Sequence, residues 1–336
     1  MIIREDIENR EKIILSQYAT KACESKGRQT EEEKCSMRTD FQRDRDRIIH
    51  SKAFRRLMHK TQVFLSPEGD HFRTRLTHTI EVAQISRTIA RGLALNEDLT
   101  EAIAMGHDLG HTPFGHSGED VLNEIHPGGF SHNVQSLRVV DLLETRNSGQ
   151  GMNLTYEVRD GILNHTGSNT PMTPEGQIVK TSDRIAYINH DIDDALRSGI
   201  ITINDLPKRS INVLGDTHKR RIDTLVKDMI NNSWDSPVIK LSDEKLEAMN
   251  ELRSFMFANV YHNEYVKRVE DVSKVKTIIT ALYEYYNKHP EEISPELMDM
   301  SDEYPVAELV KDFIAGMTDR YAMNTYQELF MAKGWR

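Results

Sequence analysis

Side chains able to bind a metal or move a proton crowd into thirteen residues of this chain, in the run His107-Asp108-Leu-Gly-His111-Thr-Pro-Phe-Gly-His116-Ser-Gly-Glu119. Adjacent His107 and Asp108 point about 100° apart on a helix, so both reach one cation only where that helix ends. Further ligands must then come from elsewhere in the chain. His78 stands near the start of the preceding apolar-periodic segment, in Arg73-Thr-Arg75-Leu-Thr-His78, and Asp183 lies in Ser182-Asp183-Arg184-Ile-Ala-Tyr187-Ile-Asn-His190-Asp191. Imidazoles mixed with carboxylates suit a borderline divalent cation such as manganese, iron, cobalt or zinc.

The acidic helix by itself is ambiguous. At 100° per residue Asp183, Tyr187, Asp191 and Asp194 share one face, opposite Ile185, Ile188, Ile192 and Leu196. A charged face opposite an apolar stripe ordinarily meets water. Single histidines at helix ends are ordinarily caps or satisfied polar groups, and His50, His59, His71 and His262 are read that way. The combination is what favours a metal site: an upstream His, a His-Asp pair, a Gly/Pro loop carrying more histidines, and a downstream Asp.

Amphipathic helices must position these groups. Val82, Ile85, Ile89 and Leu93 follow steps of three and four, as do Leu99, Ile103 and His107, and this second helix should stop by Thr112 because Pro113 disfavours helical geometry before it. The same period runs through Ile178 to Leu196, Ile222 to Met229, Leu246 to Val260 and Val272 to Leu282, and a last helix is expected to open near Pro305. Turn residues gather at Thr145–Asn153 and Thr166–Pro174. No segment alternates well enough to read as a sheet, so the fold class is all-α.

With 336 residues, 38% of them apolar, the chain can bury one sizeable core with lobes. Its formal charge, 43 − 53 = −10, disfavours nucleic acid as the main partner. Two cysteines without a CxxC pair, no apolar run of membrane length and a charged start, MIIREDIENR, together predict a cytoplasmic protein with no membrane segment. Residues 1–40 read as an N-terminal arm, with Glu24 to Lys34 as a mobile stretch. Residues 41–200 read as the catalytic core and 201–336 as a helical region completing the pocket.

These residues resemble the HD superfamily, whose motif of an upstream His, an adjacent His-Asp and a distant Asp is met here by His78, His107, Asp108 and Asp183. More narrowly, Arg45-Asp-Arg-Ile-Ile-His-Ser, Phe54-Arg-Arg-Leu, Lys60-Thr-Gln62-Val-Phe, Arg73-Thr-Arg75-Leu-Thr-His78 and Gly316-Met-Thr-Asp319-Arg-Tyr321-Ala resemble the bacterial deoxynucleoside triphosphate triphosphohydrolases. The resemblance spans roughly residues 40–330 and implies an HD helical bundle with additional C-terminal helices. It implies hydrolysis of a deoxynucleoside triphosphate between the 5′ oxygen and the α-phosphorus, a divalent metal on the four HD residues, magnesium with the triphosphate, and a homo-oligomer. By the same resemblance His116, Glu119 and His111 are catalytic. Gln62, Arg75, His132, Arg184, Tyr187, Asp191, Arg253 and Tyr261 hold the nucleoside, sugar or phosphates, while Phe257 departs from relatives with a His there. Arg253, Phe257 and Tyr261, at steps of four, are expected on one helix face, with Phe257 in the core and Arg253 buried against an anion. The alternatives are another HD nucleotide phosphohydrolase, or a nucleotide-binding regulatory protein without turnover.

Overall fold

Good capping residues open the helices that matter most. In the computed structural model, which describes residues 2–62, 73–146, 149–261 and 269–332 (side chains at 146, 150, 261 and 269–271 excepted), Thr39, Thr74, Asn96 and Thr173 each accept a hydrogen bond from the first turn that follows them. The helices they start are α2 (Asp40–Ile49), α4 (Arg75–Gly92), α5 (Glu97–Gly106) and α9 (Pro174–Arg197), the last with its proline in the first turn. Around them lie α1 (Arg4–Ile14), α3 (Lys52–Arg56), α6 (Gly115–Ile125), α7 (His132–Arg138) and α8 (Tyr156–Asn164). The chain continues through α10 (Lys208–Leu214), α11 (His218–Ser233), α12 (Asp243–Met256), α13 (Val269–Lys288), α14 (Pro295–Met298), α15 (Val306–Ala315) and α16 (Asp319–Phe330). The fold is all-α. The sole strand pairing among the described residues that exceeds a single bridge joins Thr145–Arg146 to Gly149–Gln150, inside the expected turn.

Apolar side chains form two clusters. The larger takes Val82, Ile85, Leu99, Ile103, Val158, Ile162, Ile185, Ile188, Leu225 and Met249 from α4, α5, α8, α9, α11 and α12. The smaller takes Phe114 and Leu122 beside Ile279, Leu309, Ile314 and Ala322. Helices beyond residue 200 therefore feed both. The helix expected near Pro305 is α15, with Pro305 as its N-cap, and α16 follows it.

The acidic face of α9 is buried. α9 packs on α4, leaving Asp191 only 2% and Asp194 5% exposed, and Arg73 donates to Asp194 (2.9 Å) and Asp193 (3.2 Å). The N-terminal segment also differs from the expected arm, because its charges find partners on the body. Arg28 pairs with Asp44, Ser25 and the Lys26 amide donate to Glu157, and Thr20 donates to Glu175. A segment rich in polar groups reads as solvated until its hydrogen-bond partners, 16 to 155 residues away, are known.

Candidate metal and catalytic centre

Two glycines bring the helix ends of the site together. A Cβ on Gly106 of α5 would stand 2.5 Å from Ile162 Cδ1, and a Cβ on Gly161 of α8 would stand 2.5 Å from Ile103 Cδ1. The two helices touch where each lacks a side chain, and each ends in a histidine, His107 and His165. Both rings are fixed alike: Nδ1 lies 2.7 Å from the carbonyl three residues back, Ala104 for His107 and Ile162 for His165. A carbonyl only accepts, so Nδ1 carries the proton and Nε2 presents a lone pair.

The bare Nε2 of His107 is buried with no hydrogen-bond partner, 3.4 Å from Asp108 Oδ1 and 3.7 Å from Asp183 Oδ1. His78, from the first turn of α4, brings its Nε2 to 3.0 Å from the same Asp183 oxygen. Ligand atoms of His78, His107 and Asp108 lie within 4.8 Å of one another. A lone pair facing two carboxylates in a buried site needs a cation, and this donor set fits a divalent metal. The structure therefore unites all four residues expected from the sequence. Burial pushes the Asp183 carboxyl up, but the His78 hydrogen bond and the neighbouring imidazoles more than reverse this and hold it well below its ordinary range.

The residues expected to be catalytic, His111, His116 and Glu119, occupy the loop after Asp108 and the start of α6. Phe114 and Gly115 take left-handed backbone at φ 64° and 59°, and Arg75 Nη2 and the Gln62 carbonyl would lie 3.0 and 3.1 Å from a Cβ on Gly115. Asp319, at the start of α16, clamps this turn by accepting from the Phe114 and Thr61 amides, each at 2.9 Å. Lys60, fully buried, donates to the carbonyls of His111 and Ala315.

Glu119 bridges two imidazoles. His116 Nδ1 lies 3.1 Å from its Oε2, and His132 Nδ1 lies 2.9 and 3.1 Å from its two oxygens. Burial raises the Glu119 carboxyl, and hydrogen bonds from His116 and His132 drive it well below the carboxylate range instead. His116 keeps 63% of its side chain exposed, whereas His132 is enclosed and stacks on His111 with ring centroids 4.0 Å apart. His132 Nε2 stands 3.2 Å from His165 Nε2. Because the latter is a lone pair and Glu119 is an acceptor, His132 donates from both nitrogens and is an imidazolium. Burial lowers its pKa, but Glu119 outweighs that and the pKa is raised.

Residues 75–188 match the HD domain and residues 239–328 match the phosphohydrolase-associated domain. A deoxyguanosinetriphosphate triphosphohydrolase-like protein of Caldanaerobacter subterraneus subsp. tengcongensis is 58% identical over 335 residues, covering 100% of this chain and 98% of that one. Like-named proteins of Desulfatibacillum aliphaticivorans (49%, 98% of each chain) and Clostridium perfringens (48%, 99% of each) also align. The chain belongs to this deoxyguanosinetriphosphate triphosphohydrolase-like family of HD-domain proteins. A solved structure of a hypothetical protein from Aquifex aeolicus aligns over 86% of this chain and 68% of that one, at 20% identity and a TM-score of 0.49.

All four HD residues of this family member fall inside the HD match. Its other expected contacts are spread around them. Arg75, 1% exposed, gives Nη1 to Asp108 Oδ2 at 3.0 Å, so its guanidinium holds a residue of the candidate metal site. Gln62 has a buried Oε1 with no partner among the described residues. Tyr187 is half-buried; burial raises its phenol, opposed by the charge and hydrogen bond of Arg253. Arg184 is partly buried and Asp191 is buried.

Arg253 is exposed, against the expectation of a buried guanidinium, and sits 5.2 Å from the Phe257 ring. Phe257 is 41% exposed and not in the core. The cause is which side of α12 packs inward: Ala248, Leu252 and Met256 carry its buried stripe, and Arg253 and Phe257, still neighbours four residues apart, stand on the solvent side, with a π turn following over Phe257–Tyr261. The Tyr261 side chain, His71 and His262 lie outside the described residues. His165 and Asp319 carry geometry that the motif reading missed. For His165 a signal existed, an apolar helix ending in His as at His107. For Asp319 the quoted run had none pointing to a clamp.

Proposed function

We propose that the protein hydrolyses deoxynucleoside triphosphates, dGTP or several of them, to deoxynucleoside and intact triphosphate. The observation that carries this reading is the bare, buried Nε2 of His107 among His78, Asp108 and Asp183, beside the His116–Glu119 pair. The HD domain implies a divalent metal, and His78, His107, Asp108 and Asp183 would hold it. When bound, manganese, iron, cobalt or zinc there supplies Lewis acidity toward a phosphoryl oxygen and acidifies water.

Water adds at the α-phosphorus and the bond to the 5′ oxygen breaks, so the leaving alkoxide needs a proton. His116 supplies it from the exposed side of its ring, with Nδ1 held on Glu119. His132, cationic behind Glu119, keeps that carboxylate ionised and oriented. Arg184 and Arg253 face the polyphosphate, which carries its own magnesium, and Arg75 steadies Asp108. Gln62, Tyr187, Asp191 and Tyr261 address the nucleoside and sugar. The helices after residue 200 complete this pocket through Arg253 and Asp319.

The reading includes assembly into a homo-oligomer and a cytoplasmic location; among the described residues no helix is long and apolar enough to cross a membrane. Incubation of metal-loaded protein with each dNTP, followed by chromatography, tests the activity. Tripolyphosphate with deoxynucleoside is the expected product. Orthophosphate would point to another HD phosphohydrolase, and no turnover with any loaded metal would leave a nucleotide-binding protein.

A further inference from the structure

A cavity beside the Asp108–His111 loop shares no side chain with the candidate metal centre. It encloses about 480 Å³, within the roughly 300–1,000 Å³ of small-molecule sites. Leu109 and Gly110, the two residues between Asp108 and His111, line it together with Leu297, Met300, Phe313 and Met317. The walls are chiefly aliphatic and aromatic, which favours an apolar ligand body.

The charges around the cavity are unequally satisfied. Asp312 is saturated, accepting from Gln135 Nε2 (2.8 Å) and Arg138 Nε (2.8 Å) and pairing with Lys311 (3.2 Å). Glu144 is taken up by the Ala53 and Lys52 amides (2.6 and 3.2 Å) at the start of α3. Arg56 makes no hydrogen bond among the described residues. Its Nε is buried without a partner, and its guanidinium comes no nearer a carboxylate than 3.9 Å, at Glu144 Oε1. Lys52 adds an exposed cation beside the half-buried Arg56, and Glu296 is an exposed acid of the lining. An anionic head at Arg56 and Lys52 would satisfy donors that the protein leaves unmet.

A body in this cavity presses on catalytic parts. The Gly110 amide donates to Ser136 Oγ at 2.9 Å, and Ser136 Oγ donates to the His107 carbonyl at 2.7 Å. A Cβ on Gly110 would fall 2.2 Å from the Ser136 nitrogen and 2.5 Å from the His132 carbonyl, so loop and α7 meet with no slack. Gln135 of α7 lines the cavity three residues after His132. The chain after α7 becomes a π turn, Val139–Leu143, also on the cavity wall; such turns recur at functional sites. Close-packed contacts of this kind pass displacement on instead of absorbing it.

We propose that this cavity is a second ligand site, for an organic anion with an apolar body, and that its occupancy changes turnover through the Asp108–His111 loop and α7. The probe is 8-anilinonaphthalene-1-sulfonate, an aryl sulfonate of that chemistry, titrated into the full-length metal-loaded protein with saturating tripolyphosphate present. Saturable, blue-shifted fluorescence is expected, weakened about tenfold in Arg56→Gln, the scale of a lost charge-assisted hydrogen bond. It should be abolished in Leu297→Trp, which fills the cavity. Lys52→Gln, at an exposed position, replaces Arg56→Gln if that variant does not fold, and circular dichroism checks each protein. No saturable signal, displacement by tripolyphosphate, or an unchanged signal in folded Leu297→Trp overturns the site. The coupling arm rests on the dNTP reading: saturating probe should change kcat at least twofold in wild type and not in Leu297→Trp. Binding that leaves turnover untouched overturns the coupling. Fluorescence needs no activity, so failure of the dNTP reading is told apart from failure of the site.

Discussion

His132 and His165 meet nitrogen to nitrogen, Nε2 to Nε2 at 3.2 Å, and the Ile162 carbonyl decides which one donates. With His165 Nδ1 spent on that carbonyl, His132 must give its proton, and Glu119 takes the other. His165→Ala should lower kcat roughly tenfold or more, the scale of residues supporting a working group, with bound metal unchanged. His165→Gln, whose amide oxygen can accept from His132, should recover part of the loss. Nitrogen-15 NMR should show a doubly protonated His132 ring at neutral pH in wild type. A neutral ring there removes the argument.

Asp183→Ala and His107→Ala should each lower metal content by elemental analysis, because each removes an atom from the set around the bare Nε2. The folded state should survive, since the two cores are untouched. Unchanged metal in both variants would refute the ligand assignment.

His116→Ala should keep its metal and lose on the order of 100-fold or more in kcat, the usual contribution of a positioned general acid. At 63% side-chain exposure this residue carries little packing, so stability should hardly move. Near wild-type turnover at saturating dNTP would exclude it from the reaction.

Asp319→Ala should destabilise the protein by about 2–4 kcal/mol, since two amide hydrogen bonds to a buried carboxylate vanish together. A Tm lowered by roughly 3–6 °C is the expected readout. A shift below about 1 °C would mean that the clamp contributes nothing.

Cys35 offers a test of local electrostatics away from the site. The backbone amides of Met37 and Arg38, then the Arg38 side chain, lower its thiol from 9.0 to about 7. Below pH 7 the sulfur stays protonated and slow; above it the thiolate dominates. Alkylation by iodoacetamide should therefore rise with a midpoint near pH 7, and Cys35→Ser should abolish that phase. A midpoint near 9 contradicts the cradle.

The clustering of the four HD residues was legible because each sits in a run where residue type and helical period agree: His107 at the end of an apolar helix, His78 on the buried stripe of α4, Asp183 on a definable face of α9. The fold class followed from the same period. Other features depend on contacts that no local pattern encodes. His165 matters because two glycines let α5 and α8 close on each other. Asp194 escapes water because Arg73 reaches it from 121 residues away. Arg253 stands exposed because Leu252 and Met256, one position away on α12, take the inward face, a choice set by tertiary packing and not by the charge itself.

The Asp319 clamp also has a temporal meaning. The loop it holds is made 205 residues earlier in synthesis. At about 5–20 residues per second the ribosome needs roughly 10–40 s to cover that distance. During that interval a nascent chain can already carry its HD ligands but not yet the carboxylate that fixes the turn before His116. The turn before His116 is therefore among the last parts of the candidate site that the growing polypeptide can fix.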